Sequence, residues 1–229
     1  MFHKKEFQAA FKVSIPVMMG YGVLGFAFGL LITSLDYAWY IALLMSIFIY
    51  AGALQFLAVG FFTTKLGLFD IFITSIFVNL RQSFYGLSVL KKFKKSGKLK
   101  PYLIFGLTDE TYALLTTIKE DEQLKSKYYY FYLTALNQSY WVTGTILGAI
   151  FGSMIEFDTN GLDFSLTALF VVLAIEQYKA NKNYVPFIIG AVASILAFIL
   201  VPINSMLIFA IVSSIIGMFI FKRRLENVK

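Results

Sequence analysis

The chain has 229 residues, of which 59% are hydrophobic and only 14% are charged, and its mean hydropathy is +0.74. Soluble domains average about 45–50% apolar and about 25% charged residues, so the composition excludes a soluble enzyme and predicts an all-α polytopic membrane protein. Its net charge of +7 would suggest nucleic acid in a soluble protein, but here short lysine-rich loops explain it, since they orient a chain in the membrane.

The residue inventory also restricts the chemistry. Cysteine is absent and the one histidine, His3, lies near the N-terminus, which excludes disulfides and argues against a histidine-built metal or catalytic site. No polar stretch is long enough for a separate soluble domain, so we expect residues 1–229 to form one integral membrane domain without a cofactor.

Two hydrophobic segments open the chain after a basic lead-in at residues 1–12. The first span covers residues 13–34 and carries Gly25 and Gly29, a GxxxG pattern that favours close helix packing over the alternative of an unwound backbone. The second follows Trp39 and runs to about Phe62. It carries Gln55 at mid-depth, for which a helix–helix hydrogen bond is the simplest role.

Residues 66–90 are long and apolar enough to span a membrane, yet Asn79, Arg81 and Gln82 lie at their centre. An arginine there costs about 2.5–3.5 kcal/mol on insertion scales, so it is expected to face protein, a cavity or a pathway. On a regular helix Arg81 points well away from the stripe that carries Asn79 and Gln82. The segment is therefore either buried on two sides or broken.

The next segments continue this mixture of apolar and polar residues. Six lysines lie within residues 91–100, and the short segment 101–118 is interrupted by Asp109 and Glu110. Residues 128–155 carry Asn137 and Gln138 at mid-depth, followed by a small-residue face that predicts helix packing. That face consists of Gly144, Gly148 and Gly152.

Three further segments, at 164–177, 185–201 and 203–221, follow an acidic turn at 156–163, so hydropathy gives eight segments. Simple alternation then places the six-lysine loop outside, against the positive-inside rule. If 66–90 and 101–118 each dip into the membrane and return, six full crossings remain and every lysine-rich loop lies inside. The sequence thus predicts six to eight segments, with the broken pair slightly favoured over a loop that violates the charge rule.

Arg81 and the acidic pair Asp109 and Glu110 are the main candidates for buried charge. They form either a structural ion pair or a zwitterion site, in which arginine binds a carboxylate and an acid binds an ammonium group or a coupling proton. Four uncharged polar residues would complete the lining of such a site. These are Asn79, Gln55, Asn137 and Gln138. No nucleophile–base pair, phosphate loop or metal spacing is present, so the sequence does not predict an enzyme.

Four stretches resemble the AzlC family, the large subunit of a branched-chain amino acid exporter. They are AGALQF at 51–56, NLRQSFYGLS at 79–88, LTDETYAL at 107–114 and LDFSLTALF at 162–170. The resemblance implies export of apolar amino acids and a separately encoded, small AzlD-like membrane partner. With the absence of an ATP-binding motif, it leads us to expect a proton-coupled exporter in the bacterial inner membrane. The alternatives are a channel or facilitator for small polar solutes and a membrane subunit that does not itself transport.

Overall fold

The computed structural model describes residues 3–63, 66–117, 126–154 and 183–221, with single helical positions at 167, 171, 174, 175 and 178. Every regular element among them is a helix, which agrees with the all-α prediction. The acidic turn at 156–163 lies outside the described residues, and so does most of the expected segment 164–177.

Nine α-helices and two short 3₁₀ turns make up the described elements. The turns are Lys92–Lys95 and Gly97–Leu99. Among the described helices, only α1 is long and apolar enough to cross a membrane by length and composition. The helices are α1 (Lys4–Ser34), α2 (Trp39–Phe48), α3 (Gly52–Thr63), α4 (Leu68–Val89), α5 (Lys100–Phe105), α6 (Asp109–Thr117), α7 (Lys127–Met154), α8 (Val185–Leu200) and α9 (Ile203–Ile220).

The residues group into two compact units. The first comprises Met1–Thr63 and Asn79–Ser165, and the second comprises Thr64–Val78 and Leu166–Lys229. In the second unit α8 packs against α9, where Gly217 approaches the side chain of Ile189. The candidate site residues all lie in the first unit.

Helices α1 and α7 form the centre of the first unit and run parallel to each other. The rings of His3 and Tyr128 stack with centroids 3.8 Å apart, and further along Ser14 Oγ lies 3.1 Å from the hydroxyl of Tyr140. Near the other end, Gly152 approaches the side chain of Thr33. Residues early in α1 contact residues early in α7, and late residues contact late ones, so the two helices are parallel. The two ends of the pair are called the "His3 end" and the "Ser34 end", after the α1 residue found at each.

The two glycine faces predicted from the sequence meet in this α1–α7 interface. A Cβ on Gly25 would lie 2.8 Å from the carbonyl oxygen of Trp141, and one on Gly144 would lie 2.9 Å from the carbonyl oxygen of Gly22. Gly148 is pressed against the backbone of Phe26. The predicted packing role of these glycines is confirmed, because even a methyl group would push the two backbones apart.

Helices α2 and α3 form a hairpin, here called the first hairpin, that enters from the Ser34 end and returns to it. Its tip is the non-helical stretch at residues 49–51, and Gly52, directly after the tip, lies against the indole ring of Trp141. The return is marked by Phe62, whose ring centroid is 4.9 Å from that of Tyr37. The prediction of one continuous span up to Phe62 is therefore wrong.

Helices α5 and α6 form the second hairpin, which enters from the His3 end. The lysine-rich turns before it are fixed at that end by Phe93, whose ring lies 5.6 Å from that of Tyr130. The tip is residues 106–108, and α6 returns to the same end, where Lys92 Nζ donates a hydrogen bond to the carbonyl oxygen of Leu115. The predicted interruption of residues 101–118 is confirmed.

Helix α4 is the element on which the sequence interpretation fails. It runs without a break over 22 residues, about 33 Å at 1.5 Å per residue, and Val89 near its end packs in the cluster that also contains Ala10 and Phe93. The break predicted within residues 66–90 is absent, and the second broken segment is instead 39–63. The reason is that Arg81 finds an acidic partner on α6, so the backbone of α4 does not have to open around it.

Candidate functional site

The tips of the two hairpins approach the same stretch of α1 from opposite ends. Tyr21, midway along α1, contacts Thr108 in the second tip through hydroxyl oxygens 2.7 Å apart. Tyr50 of the first tip lies with its ring centroid 6.2 Å from that of Phe105, the last residue before the second tip. The candidate site is built at this meeting point.

The second tip is encoded by local sequence. Gly106 ends α5, and its backbone N–H donates to the carbonyl oxygen of Tyr102. Thr108 then caps α6, because its Oγ1 accepts a hydrogen bond of 3.3 Å from the backbone N–H of Thr111. Asp109 and Glu110 occupy the first turn of α6, where the positive end of the helix dipole favours carboxylates.

The first tip depends instead on tertiary contacts. Tyr50 has φ = 44°, a left-handed conformation that is costly for a large side chain and often marks a functional site. The break at residues 49–51 leaves the carbonyl oxygen of Ile47 without its helical partner. The side-chain amide of Gln138 on α7 donates to that oxygen at 3.2 Å and accepts a hydrogen bond of 2.7 Å from the Tyr102 hydroxyl.

A directed chain of hydrogen bonds, here called the tip network, connects α7 to Glu110. The Tyr21 hydroxyl donates to Glu110 Oε2 at 2.5 Å. Since each hydroxyl has one proton to donate, Thr108 must then donate to Tyr21, and Thr111 to Thr108 at 3.1 Å. Asn137 Nδ2 begins the chain by donating to Thr111 at 2.9 Å. All of these donors point toward the carboxylate.

Three buried polar atoms have no hydrogen-bond partner among the described residues, and they belong to Tyr50, Asn137 and Thr134, the last of which lies against Gly106 of the second tip. The hydroxyl of Tyr50 lies near Tyr21, Thr108 and Glu110, yet no hydrogen bond of normal length and angle joins it to a described residue. Asn137 Oδ1 is likewise buried and unpaired within the part of the chain that the structure describes. Buried polar atoms usually have partners, so the oxygens of Tyr50 and Asn137 remain open to a hydrogen bond from a ligand.

Arg81 and Asp109 form the predicted ion pair, with Nη2 and Oδ2 2.9 Å apart and both side chains partly exposed. One turn further along both helices, the rings of Tyr85 and Tyr112 stack with centroids 4.3 Å apart. Residues of α4 spaced by one turn therefore lie along α6, which holds the second tip beside α4. Of the two acids, Asp109 is the partner of Arg81, and Glu110 belongs to the tip network.

Gln55 lies in a second, fully buried cluster that braces the first hairpin. Its Nε2 donates to Ser46 Oγ at 3.1 Å, and its Oε1 accepts from the indole N–H of Trp141 at 3.0 Å. Ser46 in turn donates to Thr145 Oγ1 at 3.0 Å. Since Ser46 lies on α2 and Gln55 on α3, this cluster fastens both arms of the hairpin to α7. The helix–helix hydrogen bond predicted for Gln55 is therefore present.

The structure thus divides the seven candidate residues. Glu110 and Asn137 belong to the tip network, Arg81 and Asp109 form the neighbouring ion pair, Gln138 supports the first tip, and Gln55 braces the first hairpin. The side chain of Asn79 is half-buried and makes no hydrogen bond to another described residue.

Sequence reasoning missed the hydroxyl groups of the site. These belong to Tyr21, Tyr50, Thr108 and Thr111. Thr108 carried a usable signal, because threonine followed by two acids after a glycine is a helix N-terminus pattern. Tyr21 and Tyr50 carried none, since tyrosine is common at membrane surfaces as well as in sites.

The comparisons agree with a helical membrane protein. The sequence model of the family described as AzlC protein matches residues 16–155. An uncharacterised membrane protein of Helicobacter pylori is 38% identical over 97% of this chain and 97% of its own length. The branched-chain amino acid transport protein AzlC of Bacillus subtilis is 35% identical over 96% of this chain and 87% of its own length. No solved structure matches.

A helical chain of this composition, with two hairpins around a polar centre and relatives named as membrane proteins, is an integral membrane protein. It belongs to the AzlC family, as the four sequence stretches indicated.

Proposed function

We propose that this protein is a secondary transporter that exports branched-chain or similar apolar amino acids from the bacterial cytoplasm in exchange for protons. The observation that carries the proposal is the pair of hairpins whose tips meet at a polar network midway along α1. Broken segments that meet near the membrane midplane are a recurring way to build a transport site, because irregular backbone is tolerated there only where it lines a cavity.

The chemistry of the site fits a zwitterion with an apolar side chain. Arg81 supplies a guanidinium group for a carboxylate, and Glu110 supplies a carboxylate for an ammonium group. The apolar side chain of Phe105, the last residue before the second tip, is exposed and suits an aliphatic substrate. The transport role named for the Bacillus relative supports the same substrate class.

The proposal places the chain in the cytoplasmic membrane with six full crossings. The two hairpins dip from opposite sides, and the N-terminus and the lysine-rich turns both lie in the cytoplasm, where the charge rule favours them. Family membership further supports a small AzlD-like membrane subunit as the partner. Six crossings, proton coupling and the partner are parts of the proposal.

The test is export of labelled leucine, valine, isoleucine and methionine from cells with and without the protein. We expect faster, uphill export that an uncoupler collapses. Downhill flux that is insensitive to the uncoupler would instead favour a facilitator. Purified protein reconstituted alone and with its partner then tests whether this chain transports by itself, since flux that needs both proteins assigns the partner a necessary role.

A further inference from the structure

Glu110 has no cationic partner among the described residues. The ion pairs found there join His3 to Glu6 and Arg81 to Asp109, and neither includes Glu110. Its carboxylate instead accepts a hydrogen bond from Tyr21 at a position midway along a membrane helix. An ionised carboxylate in such surroundings is costly unless a cation neutralises it. Glu110 is therefore a position that a proton or a cationic ligand would stabilise.

Two unpaired oxygens, one of Tyr50 near Glu110 and one of Asn137 at the far end of the tip network, favour a cationic group. Asn137 Oδ1 can only accept hydrogen bonds, and the Tyr50 hydroxyl can accept one through its oxygen. Both side chains are buried, with 0% and 2% of their surface exposed. A primary ammonium group has three donors and no acceptor, so it matches the Glu110 carboxylate together with the nearby phenol oxygen of Tyr50. A ligand carboxylate could accept from the Tyr50 O–H but would be repelled by the Glu110 carboxylate.

We propose that Glu110 is a single exchange site that binds a proton and the substrate's ammonium group in alternation. This inference rests on the proposed function and assigns its two ligands to one carboxylate. When the ammonium group enters, the O–H bond of protonated Glu110 breaks and the proton leaves to solvent, while the carboxylate pairs with the ammonium group. When the substrate leaves, a proton from solvent re-forms the O–H bond. One proton therefore moves opposite to each substrate.

The other ionisable groups around Glu110 do not compete for this role. Tyr21 from α1 and Tyr50 from the first tip face it directly, and both are phenols, which stay neutral at physiological pH. Asp109 on the same helix is already paired with Arg81 of α4. From α7 the network receives the amide of Asn137, which does not titrate.

The experiment is a binding measurement on the purified protein in weak buffer, with proton release and calorimetry recorded together. The probes are L-leucine, 3-methylbutylamine, which lacks the carboxylate, and 4-methylpentanoate, which lacks the ammonium group. We expect about one proton released per bound leucine or amine, and none with the acid, at pH values where free Glu110 is protonated. Within that range the leucine Kd should rise about tenfold for each unit by which the pH falls.

The Glu110→Gln variant keeps the side-chain volume and an oxygen that accepts from Tyr21. It should fold, release no proton and lose the pH dependence of its leucine Kd, whereas the matched Glu6→Gln variant should behave like wild type. Leucine binding to wild type without proton release, or unchanged release in Glu110→Gln, overturns the exchange site alone. If Glu110→Gln does not fold, the pH dependence of the leucine Kd of wild type tests the exchange site instead. Wild type that binds no leucine at any pH overturns the proposed function together with this inference.

Discussion

Arg81 pairs with only one of the two acids, Asp109 and Glu110, that the sequence offered as its partner. Because Arg81 pairs with Asp109 at 2.9 Å and Glu110 accepts from Tyr21, removing Arg81 leaves Asp109 as the unpaired charge. A fully buried unpaired charge costs about 3–5 kcal/mol, and this one costs less because both side chains are partly exposed.

We therefore expect Arg81→Gln to lower the amount of folded protein. Adding Asp109→Asn should restore that amount but not leucine export, because the site still lacks its guanidinium group. Adding Glu110→Gln instead should restore neither. Membrane abundance and export are measured for all variants, and equal rescue of abundance by both second changes would contradict the pairing.

The Tyr50 hydroxyl can be tested for a role in substrate binding without removing a hydrogen bond from the folded protein. Its oxygen makes no hydrogen bond of normal geometry to a described residue, so Tyr50→Phe should not lower the melting temperature, because it removes an unpaired buried hydroxyl and retains the same backbone strain. If that oxygen accepts from the substrate's ammonium group, leucine affinity should fall about tenfold, as expected for a hydrogen bond to a charged group.

The control for Tyr50→Phe is Tyr140→Phe, which removes a hydroxyl that lies 3.1 Å from Ser14 Oγ in the α1–α7 interface. That change should lower stability by about 1 kcal/mol and leave leucine affinity unchanged. The melting temperature and the calorimetric Kd of both variants are compared. Wild-type affinity in Tyr50→Phe would remove this hydroxyl from the site.

At the scale of helices, sequence predicted the α1–α7 interface well because small residues at a spacing of four have few other uses in a membrane helix. It also located the second hairpin, since charged residues in an apolar segment are conspicuous. It missed the first tip, because residues 49–51 are as apolar as their neighbours and contain no proline. That break is stabilised from a distance by Gln138, which no local pattern reveals.

The glycine interface gives a prediction for this scale. Gly148→Ala places a methyl group against the backbone of Phe26, and because backbone cannot rotate away, the helices must separate. We expect a loss of about 1–3 kcal/mol, typical of overpacking, measured as a lower melting temperature.

The matched control is Gly20→Ala, also within a long helix, where an added Cβ meets nothing within 4 Å. Alanine should stabilise that position by up to about 1 kcal/mol through helix propensity. If both variants melt at the wild-type temperature, the contact between α1 and α7 is looser than the structure indicates.

For the whole molecule, the parallel arrangement of α1 and α7 constrains the topology. If both helices cross the membrane in the same direction, the chain between them must cross back an odd number of times. The six-crossing alternative from the sequence remains a prediction, but it named residues 66–90 as one of the two dipping segments because Arg81 made them look broken. The structure breaks residues 39–63 instead. With the hairpins at 39–63 and 101–118, we propose that the unbroken 22-residue helix α4 makes the single return.

This arrangement predicts which loops face the cytoplasm. Phe93 and His3 both pack at the Tyr128–Tyr130 end of α7, so the lysine-rich turns lie on the same side as the N-terminus. Since native cysteine is absent, single cysteines report the side directly. Ser96 is buried and would not react on either side, whereas Lys98 and Ala38 are exposed.

We expect Lys98→Cys to be protected from an impermeant thiol reagent in intact cells and to react after the cells are opened, and Ala38→Cys to react in both. The reason is that Ala38 lies just beyond Ser34, at the opposite end of α1 from His3, while positive charge keeps residues 91–100 inside. Labelling of both positions in intact cells would place these loops on one side of the membrane. The second hairpin would then have to cross the membrane fully, which would contradict the return of α6 to Lys92.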